Sequence, residues 1–434
     1  MLTKEQQDLL TQTGPGTPGG EMLRRYWQPI ALAAELPQGG APAPVRIMSE
    51  DLVLFRDDSG EIGLLGIHCA HRGADLSYGR LEDGGLRCIY HGWLYDRTGR
   101  CLEQPGEPAG STFHERIHQT AYSTREVGGV IFAYMGPSPV PLFPNYEYFQ
   151  VPDGHRWFHK YYHECNYLQG NEGNMDPTHP FFLHRFLPGS ELAQTRVPID
   201  GRRSTPAYDT RVHAPRVRAE EVDFGVRIDA FYDASDEHTD VRTSQFVIPT
   251  TCAVGGGPIP PGDGYLMNWH IPIDDTHHWR FSMAFRRSQP LDPRHSVERA
   301  SVTDASYRFK RNLSNRFMQD RNEMQTDTYS GLGAIFVVGD AYATETAGPI
   351  QDRSTERLGS VDAGVALARL MLLRAIKDVQ EGRDPPHVIR QPEDNHFPEM
   401  GVTEEQIPPE MTWPEYLERR RKGRASAGGV SSNG

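Results

Sequence analysis

Two Cys-His pairs lie close together in the first quarter of the chain. One residue separates Cys69 from His71, and sixteen residues later Cys88 and His91 follow with two residues between them. Thiolates and imidazoles in a mixed set bind either tetrahedral zinc or a [2Fe-2S] cluster in which two histidines replace two cysteines on one iron. Structural zinc sites usually group like ligands, whereas each pair here mixes them. The pattern predicts a [2Fe-2S] cluster held by two loops, with zinc as the alternative.

A second group of potential metal ligands follows the cluster motif. Asp176, His179 and His184 form the pattern DxxHxxxxH. Two histidines and a carboxylate on one face bind Fe(II) in non-haem oxygenases and leave positions open for O2 and substrate. On an ideal helix the five-residue step would separate the two imidazoles by about 140°. We expect a helix to begin at Pro177 with Asp176 as its cap, and Pro180 to make it irregular enough for both rings to reach one metal.

Taken alone, a histidine pair beside the apolar run Phe181-Phe182-Leu183 is more often part of a packed core. Its position after an iron-sulfur motif favours iron binding, because a cluster that moves single electrons needs an acceptor for them. The sequence contains no second cluster motif and no nucleotide site of the GxGxxG type, because the one stretch with that spacing, Gly14 to Gly19, follows a predicted helix and not a strand. We therefore expect the electrons to come from a separate reductase.

The composition and charge of the chain limit its partners and compartment. Its 434 residues suffice for two domains, and 45 basic against 58 acidic residues give a formal net charge of -13. This acidic balance argues against nucleic acid or an anionic membrane as a partner. The sequence has no apolar run of about 18 residues and no signal-peptide pattern, so we expect a cytoplasmic protein. We expect the cysteines outside the cluster motif to be buried thiols in a reducing compartment.

Hydrophobic alternation divides the chain into two β-rich parts. Short strand patterns at 52–55, 62–67 and 130–134 predict a small all-β domain that carries the cluster motif at its loops. A proline-rich stretch at 137–144 reads as a connection to a larger domain. In that domain an antiparallel sheet is predicted from strand patterns at 157–163, 225–232, 241–248, 266–273 and 277–285.

Helical patterns flank these strands. Helices are predicted over 4–12, 21–26, 305–318 and 361–379, the last with apolar residues at three- and four-residue steps. The tail from residue 424 onward has the composition of a disordered segment. The predicted division is an N-terminal helical segment (1–24), a cluster domain (25–140), a catalytic domain (141–395) and a C-terminal extension (396–434).

The two motifs together resemble the Rieske non-haem iron oxygenases, the family that hydroxylates aromatic rings. The cluster motif has all four ligands and the glycines Gly73 and Gly92 that follow them. The stretch Gly348-Pro349-Ile350-Gln351-Asp352-Arg353 is similar to the phthalate-dioxygenase-like branch, and the resemblance covers almost the whole chain. It implies an α+β protein, with an all-β Rieske domain and a larger domain whose antiparallel sheet is covered by helices in a helix-grip arrangement.

The resemblance also implies roles for particular residues. The four residues of the cluster motif would hold the [2Fe-2S] cluster, and His179 and His184 would bind a mononuclear Fe(II). Asp176 would link that iron to a cluster histidine of a neighbouring subunit and would not bind the metal itself. The third iron ligand would be a carboxylate between residues 330 and 359; Asp340 is our choice and Glu345 the alternative.

Two features depart from the family pattern. Some members have an asparagine near the iron at a fixed distance before the bridging aspartate, whereas here Glu172 lies four residues before it, between Asn171 and Asn174. The arginine-rich segment from Gly201 to Arg218 is longer than the loop we expect.

The resemblance implies the terminal oxygenase subunit of a multicomponent system, in the form of a homotrimer. Electrons from NAD(P)H would arrive through a flavin- or ferredoxin-type reductase, and O2 would be used to mono- or cis-dihydroxylate an aromatic carboxylate. Oxidative O-demethylation of a methoxylated aromatic acid, with release of formaldehyde, is the alternative. A Rieske electron carrier is a more remote one, since it leaves DxxHxxxxH unused. Arg216 or Arg242 can pair with a substrate carboxylate, although a surface or rim position fits either equally well.

Overall fold

The N-terminal part of the chain is built from two small antiparallel sheets. The computed structural model describes residues 1–195, 215–233, 237–256 and 259–428. The first ten strands are β1 (Trp27–Leu32), β2 (Ala43–Ile47), β3 (Glu50–Arg56), β4 (Ile62–Gly66), β5 (Arg80–Glu82), β6 (Gly85–Arg87), β7 (Leu94–Tyr95), β8 (Cys101–Glu103), β9 (Ala121–Val127) and β10 (Val130–Tyr134). Six of them form a sheet in the order β1-β10-β9-β4-β3-β2, and the other four form the sheet β5-β6-β7-β8.

An eight-stranded antiparallel sheet forms the base of the larger part. Its strands are β11 (Arg156–His163), β12 (Arg216–Val222), β13 (Gly225–Tyr232), β14 (Thr239–Val247), β15 (Thr251–Val254), β16 (Gly264–Asp274), β17 (His277–Arg286) and β18 (Glu404–Ile407). The order is β11-β17-β16-β15-β14-β13-β12, with β18 paired to β14. The five strands predicted here are confirmed, with ends that shift by at most two residues.

Nine α-helices are found in the described part of the chain. They are α1 (Lys4–Thr11), α2 (Pro18–Leu23), α3 (Tyr167–Met175), α4 (Glu191–Thr195), α5 (Pro293–Ala300), α6 (Glu323–Thr326), α7 (Phe336–Glu345), α8 (Ala363–Gln380) and α9 (Trp413–Gly428). Within the same residues, no helix combines the length and the apolar character needed to cross a membrane. Helix α9 includes part of the tail predicted to be disordered, and residues 429–434 lie outside the described ranges.

Helix α8 covers one end of the large sheet. Its buried face includes Val365, Ala368, Leu372 and Ile376, which recur at the three- and four-residue steps that predicted this helix. The helix contacts strands β12 and β13, and the two N-terminal helices α1 and α2 pack against it. Gly382, with φ of +78°, follows the end of the helix in the left-handed conformation that glycine favours. The N-terminal segment therefore rests on the larger part of the chain.

Two of the predicted helices need correction. Residues 305–318 are not an α-helix; they contain only a distorted 3-10 segment, Leu313–Met318, with positive φ at Arg316 and Phe317. The Asn312 side chain accepts hydrogen bonds from the backbone N–H of Ser314 at 3.0 Å and from its hydroxyl at 2.7 Å, which competes with helical bonding. Helix α2 begins at Pro18, earlier than predicted, because Thr17 caps it by accepting from the Gly20 N–H at 3.2 Å.

Helix α3 lies across the large sheet and carries the segment that leads to the DxxHxxxxH motif. It contacts strands β14, β15, β16 and β17 on one side and α7 on another. The helix comes close to the sheet at Gly170, where a Cβ atom would lie 2.1 Å from Nδ1 of His270. At Gly173, one turn later, a Cβ atom would meet only Thr344 Cγ2, at an ordinary 3.5 Å. The approach of α3 to the sheet therefore depends on one of its two glycines.

These two glycines give a matched pair of stability predictions. Replacing Gly170 by Ala should lower the free energy of unfolding by about 1–3 kcal/mol, because the added methyl group overpacks the contact with His270. Replacing Gly173 by Ala should leave stability unchanged or raise it by up to about 1 kcal/mol through better helix propensity. Urea unfolding followed by circular dichroism would measure both. Equal effects at the two positions would contradict the close approach.

Candidate metal centres

The two Cys-His loops have the same backbone hydrogen-bond pattern. The carbonyl of each cysteine accepts from the N–H of the glycine four residues later, at 2.8 Å for Cys69 and Gly73 and at 2.9 Å for Cys88 and Gly92. Each cysteine N–H donates to the carbonyl of the residue after that glycine, at 2.8 and 2.9 Å. Both glycines have positive φ, +72° and +78°, a conformation that disfavours side chains. The loops thus form a matched pair with equivalent cysteine positions.

The four predicted cluster ligands lie together at these loops. The rings of His71 and His91 are 4.4 Å apart between centroids. Both cysteines are buried, and burial together with the neighbouring Cys69 raises the pKa of the Cys88 thiol. Nδ1 of His71 is buried and has no hydrogen-bond partner among the described residues, although the Trp93 ring stacks on this imidazole at 4.5 Å. An orphaned imidazole nitrogen beside two buried thiols is costly without a metal, so this donor set fits a [2Fe-2S] cluster.

A buried tyrosine contacts the cysteine of the first loop. The Tyr95 hydroxyl lies 3.2 Å from Sγ of Cys69 and is fully buried. Hydrogen bonds to the ligand sulfurs are one of the factors that set the reduction potential of such a cluster. The cysteines outside the motif, Cys101, Cys165 and Cys252, are buried free thiols, as predicted.

A break in the helix brings the two histidines of DxxHxxxxH together. Asp176 does not cap a new helix at Pro177; it ends α3, and its Oδ1 accepts from the Thr178 N–H at 2.7 Å. A single 3-10 turn, His179–Phe181, follows. The rings of His179 and His184 then approach to 5.1 Å between centroids, at an interplanar angle of 79°. The prediction of an irregular segment is confirmed, whereas the predicted position of its helix is wrong.

Helix α7 brings a carboxylate to these two histidines. Oδ1 of Asp340 lies 2.9 Å from Nε2 of His184 and 3.8 Å from Nε2 of His179. One potential ligand atom from each of the three residues lies within 4.8 Å of the others. Burial alone would raise the pKa of Asp340, but the His184 hydrogen bond and the Arg280 charge hold it well below its usual value. Two imidazoles and one ionised carboxylate are the donor set that fits a mononuclear Fe(II).

Two residues that the sequence did not single out hold this group in place. The Phe336 ring stacks on the His184 imidazole at 4.3 Å with an interplanar angle of 6°. Nη1 of Arg280, on strand β17, donates to Oδ2 of Asp340 at 2.9 Å. Neither residue has a local sequence signal, because each reaches the site through the tertiary fold.

Asp176 lies next to the histidines and not among them. Its Oδ2 is 3.5 Å from Nδ1 of His179, and its side chain is 28% exposed. Burial acts to raise the pKa of Asp176, but hydrogen bonds from His179 and Thr178 outweigh it and lower this pKa to about 2. Within the described part of this one chain, no hydrogen bond joins Asp176 to His71 or His91.

The two parts of the chain match two known sequence families. Residues 26–122 match the "Rieske [2Fe-2S] domain", and residues 133–428 match the family described as "LigXa C-terminal domain like". The phthalate 4,5-dioxygenase oxygenase subunit of Pseudomonas putida is 36% identical over 408 residues, which cover 88% of each chain. The chain belongs to the Rieske non-haem iron oxygenases.

Further comparisons agree with this family. The 5,5'-dehydrodivanillate O-demethylase oxygenase subunit of Sphingobium sp. (strain NBRC 103272 / SYK-6) is 33% identical, over 90% of this chain and 84% of its own. Pseudomonas putida CBB5 NdmB superposes with a TM-score of 0.60 at 18% identity, covering 83% of this chain and 93% of its own. The terminal oxygenase of carbazole 1,9a-dioxygenase from Novosphingobium sp. KA1 gives 0.56 at 19% identity, covering 86% and 96%. The predicted α+β fold of a Rieske oxygenase is confirmed.

As a Rieske oxygenase subunit, the protein is an enzyme that uses a [2Fe-2S] cluster, mononuclear iron, O2 and electrons supplied by a reductase. The Rieske match favours the cluster over zinc at the Cys-His loops. The match over residues 133–428 accounts for the larger part of the chain, which the alternative of a Rieske electron carrier would leave unexplained.

Glu345, the alternative third ligand in this Rieske oxygenase, lies at a different place. Its Oε1 is 3.1 Å from Nδ1 of His163 and 3.4 Å from the Glu164 N–H. The structure therefore brings Asp340, and not Glu345, to His179 and His184. Burial raises the pKa of Glu345 to about 8. Between about pH 5 and pH 8 this carboxyl group is therefore largely protonated and neutral, whereas an exposed glutamate is charged.

Glu172, the residue four positions before Asp176, belongs to a buried ion-pair network. Glu172 is buried and accepts from Arg353 at 2.8 Å and from Arg369 at 2.7 Å. Arg369 also pairs with Glu356. Arg353 and Glu356 are thus joined in one ion-pair network with Glu172 of α3 and Arg369 of α8. This network fixes α3, which leads to Asp176.

The two candidate substrate arginines lie in different surroundings. Arg216 has a 62% exposed side chain and pairs with Asp233 at 3.0 Å. The side chain of Arg242 is 20% exposed, donates to the Gly255 carbonyl at 2.8 Å and lies 3.5 Å from Glu404. The pKa of His179 is raised above its usual value. Burial acts to lower this pKa, but the hydrogen bond to Asp176 outweighs burial. The Arg242 charge acts in the lowering direction. Arg242 is therefore within electrostatic range of His179. Of the longer segment from residue 201, residues 201–214 lie outside the described ranges.

The raised pKa of Glu345 gives a testable pH dependence. Its folded-state pKa of about 8 lies above the ordinary value of 4.5, so the folded protein keeps a proton that the unfolded chain has lost. The contribution of Glu345 to stability should therefore fall as the pH rises from about 5 to about 8. Replacing Glu345 by Gln should remove this pH dependence. The urea midpoint of the variant minus that of the wild type should therefore increase as the pH rises across that range. A difference that stays constant with pH would contradict the raised pKa.

Proposed function

We propose that this oxygenase subunit hydroxylates an aromatic carboxylate, by mono- or cis-dihydroxylation, with electrons from NAD(P)H that arrive through a flavin- or ferredoxin-type reductase. The observation that carries the proposal is the convergence of His179, His184 and Asp340 within one chain that also holds the matched Cys-His loops. Such a chain can accept single electrons at one centre and use them at the other.

The proposal assigns the site residues as follows. Cys69, His71, Cys88 and His91 hold the cluster, and His179, His184 and Asp340 hold the iron. When bound, the iron supplies the activation of O2. Asp340 neutralises part of the metal charge, and the Phe336 ring limits rotation of the His184 imidazole. Asp176 fixes the tautomer and orientation of His179, because its carbonyl lies 3.1 Å from Nδ1 of that ring.

Electron transfer is proposed to cross between subunits of a homotrimer. The cluster loop carries Ile89 and Tyr90, which are 61% and 55% exposed, so its tip is free to meet a neighbour. Asp176 keeps a partly exposed carboxylate beside His179. A head-to-tail trimer would set the cluster histidine of one subunit against Asp176 of the next. The proposed domain division, with a cluster domain at 25–140 and a catalytic domain at 141–395, follows the same separation of the two centres.

The substrate class rests on the relatives and on one arginine. Curated relatives at 30–36% identity include oxygenase subunits named for phthalate, phenoxybenzoate and 3-chlorobenzoate, which are aromatic carboxylates. Arg242 is the better candidate for the carboxylate contact, since its charge acts on His179, whereas Arg216 has a 62% exposed side chain that pairs with Asp233.

An aryl O-demethylase is the second candidate function. It is favoured by one relative, the 5,5'-dehydrodivanillate O-demethylase oxygenase subunit, whose name describes that reaction. The same metal ligands would serve both reactions, so product analysis must separate them.

The substrate proposal predicts the outcome of an O2-uptake assay. With a reductase and NADH, phthalates or benzoates should stimulate O2 uptake and yield hydroxylated products, whereas the matching neutral amides should not. Replacing Arg242 by Gln should raise KM for the carboxylate by about 10–100-fold, the loss expected for one charge-assisted hydrogen bond. Replacing Arg216 by Gln is the matched control and should leave KM unchanged. Formaldehyde release from methoxylated acids alone would favour the demethylase instead, and uptake unaffected by any aromatic acid would refute both.

The role of Asp176 gives a separate prediction. Replacing Asp176 by Asn should leave cluster and iron contents unchanged but lower kcat by more than about 100-fold, because electrons no longer reach the iron. Asp274 is a matched control, since it makes the same contacts to Thr276 and His277 that Asp176 makes to Thr178 and His179. Its Asn variant should turn over normally. An active Asp176→Asn variant would remove Asp176 from the electron route.

A further inference from the structure

The two carboxylate oxygens of Asp340 have different partners. Oδ1 faces Nε2 of His184 and of His179, at 2.9 and 3.8 Å. Oδ2 points to strand β17 and accepts from Nη1 of Arg280 at 2.9 Å. The Arg280 side chain is only 6% exposed. A buried cation therefore already engages one oxygen of the carboxylate before any metal is considered.

Arg280 is itself held by a defined set of acceptors. A guanidinium group has only donors, so the groups around it must present oxygens. Its Nε lies 3.3 Å from Oδ1 of Asn268 and 3.1 Å from the Ser282 hydroxyl, which in turn donates to the same Asn268 oxygen at 2.6 Å. The amide group of Asn268 is thereby oriented, with its Nδ2 directed to Oδ1 of Asn174 at 2.7 Å.

The same direction of donation continues into the sheet. Nδ2 of Asn174 donates to Nε2 of His270 at 2.9 Å, which leaves the proton of that imidazole on Nδ1. Nδ1 of His270 donates to Nε2 of His278 at 3.0 Å, and Nδ1 of His278 donates to the Cys165 carbonyl at 2.8 Å. Burial lowers the pKa of both histidines well below the usual value, which agrees with neutral rings.

This hydrogen-bonded chain runs in one direction through buried residues, apart from the half-buried Asn174. Asn268, His270 and His278 are each at most 1% exposed. Each amide and imidazole has one possible orientation once Arg280 is fixed, and reversing any member would place two donors or two acceptors face to face. The chain is anchored to α3 through Asn174 and to strands β16 and β17 through its other members. Arg280 therefore cannot rotate away from Asp340 without leaving buried polar groups unpaired.

We propose that Arg280 is a positioning residue for the iron ligand Asp340: it retains Oδ2, so that only Oδ1 is presented to the metal, and the Asn268–Asn174–His270–His278 chain holds Arg280 in that place. This inference rests on the proposed function, because it takes His179, His184 and Asp340 as the ligands. Its consequence would be an Asp340 carboxylate that offers one oxygen, Oδ1, to the iron.

The test measures metal binding and not turnover. In anaerobic protein loaded with Fe(II), the rate of iron release to a chelator should rise by about 10–100-fold in Arg280→Gln, the usual effect of removing a hydrogen-bond partner from a metal ligand. The Rieske absorption spectrum provides an internal check that the cluster and the fold are intact. Loaded with Co(II), the same variant should give a changed ligand-field spectrum, because the freed Oδ2 alters the coordination. Asn268→Ala should change both in the same direction by a smaller factor.

Arg286 provides the matched control. It lies on the same strand and forms a partly buried pair with Asp263, at 2.6 Å. Arg286→Gln should release iron at the wild-type rate with the wild-type Co(II) spectrum. A wild-type release rate in Arg280→Gln, or an equal increase in Arg286→Gln, would overturn the proposal. If Arg280→Gln does not fold, Asn268→Ala is judged by the same criterion, so that iron release at the wild-type rate in Asn268→Ala would overturn the proposal.

Two further measurements separate this inference from the ligand assignment beneath it. Wild-type protein should take up one Fe(II) beyond the cluster iron, and Asp340→Ala should lose it. If wild type takes up none, or Asp340→Ala retains it, the ligand set itself is refuted. If both behave as expected while Arg280→Gln matches wild type, only the role of Arg280 fails.

Discussion

The contact between Asp340 and His184 is the constraint on which the rest of the larger part of the chain depends. The two residues are 156 positions apart, and their atoms meet at 2.9 Å. To bring them together, helix α7 must lie against α3. Strand β17 must also place Arg280 where it can donate a hydrogen bond to Asp340. The eight-stranded sheet supplies a rigid base for that arrangement, which side chains on loops alone would not hold to the accuracy a metal site needs.

The cluster site is organised by shorter-range forces. In each Cys-His loop the cysteine backbone is closed by hydrogen bonds to residues four and five positions later. Ligand type, spacing and turn glycine are therefore all contained in one short stretch of sequence. This explains why the four proposed cluster residues could be predicted from the sequence, while Arg280 and Phe336 could not. Each of the latter belongs to an ordinary strand or helix pattern and reaches the site only through a distant partner.

The same distinction applies to the fold. Strand β13 was predicted correctly at residues 225–232 because its sequence has the hydrophobic alternation of a strand. Helix α8 was predicted correctly because its apolar residues follow the helical repeat over eighteen residues. The helix predicted at 305–318 failed where Asn312 and Asn315 bind the local backbone and take the hydrogen bonds that a helix would use. Hydrophobic periodicity alone does not record that competition.

The choice between Asp340 and Glu345 turns on helix geometry. Both lie on α7, and their five-residue separation places them about 140° apart around the helix axis. A regular helix can therefore offer only one of them to the histidines; Asp340 faces His184, and Glu345 faces His163. His179 and His184 have the same five-residue spacing, but the 3-10 turn after Asp176 breaks the helix and lets both rings converge. A five-residue spacing therefore points Asp340 and Glu345 in different directions on the regular helix α7. The same spacing allows His179 and His184 to approach each other where the helix is broken. The site is thus decided by the rotation of α7, which no local feature of the sequence specifies.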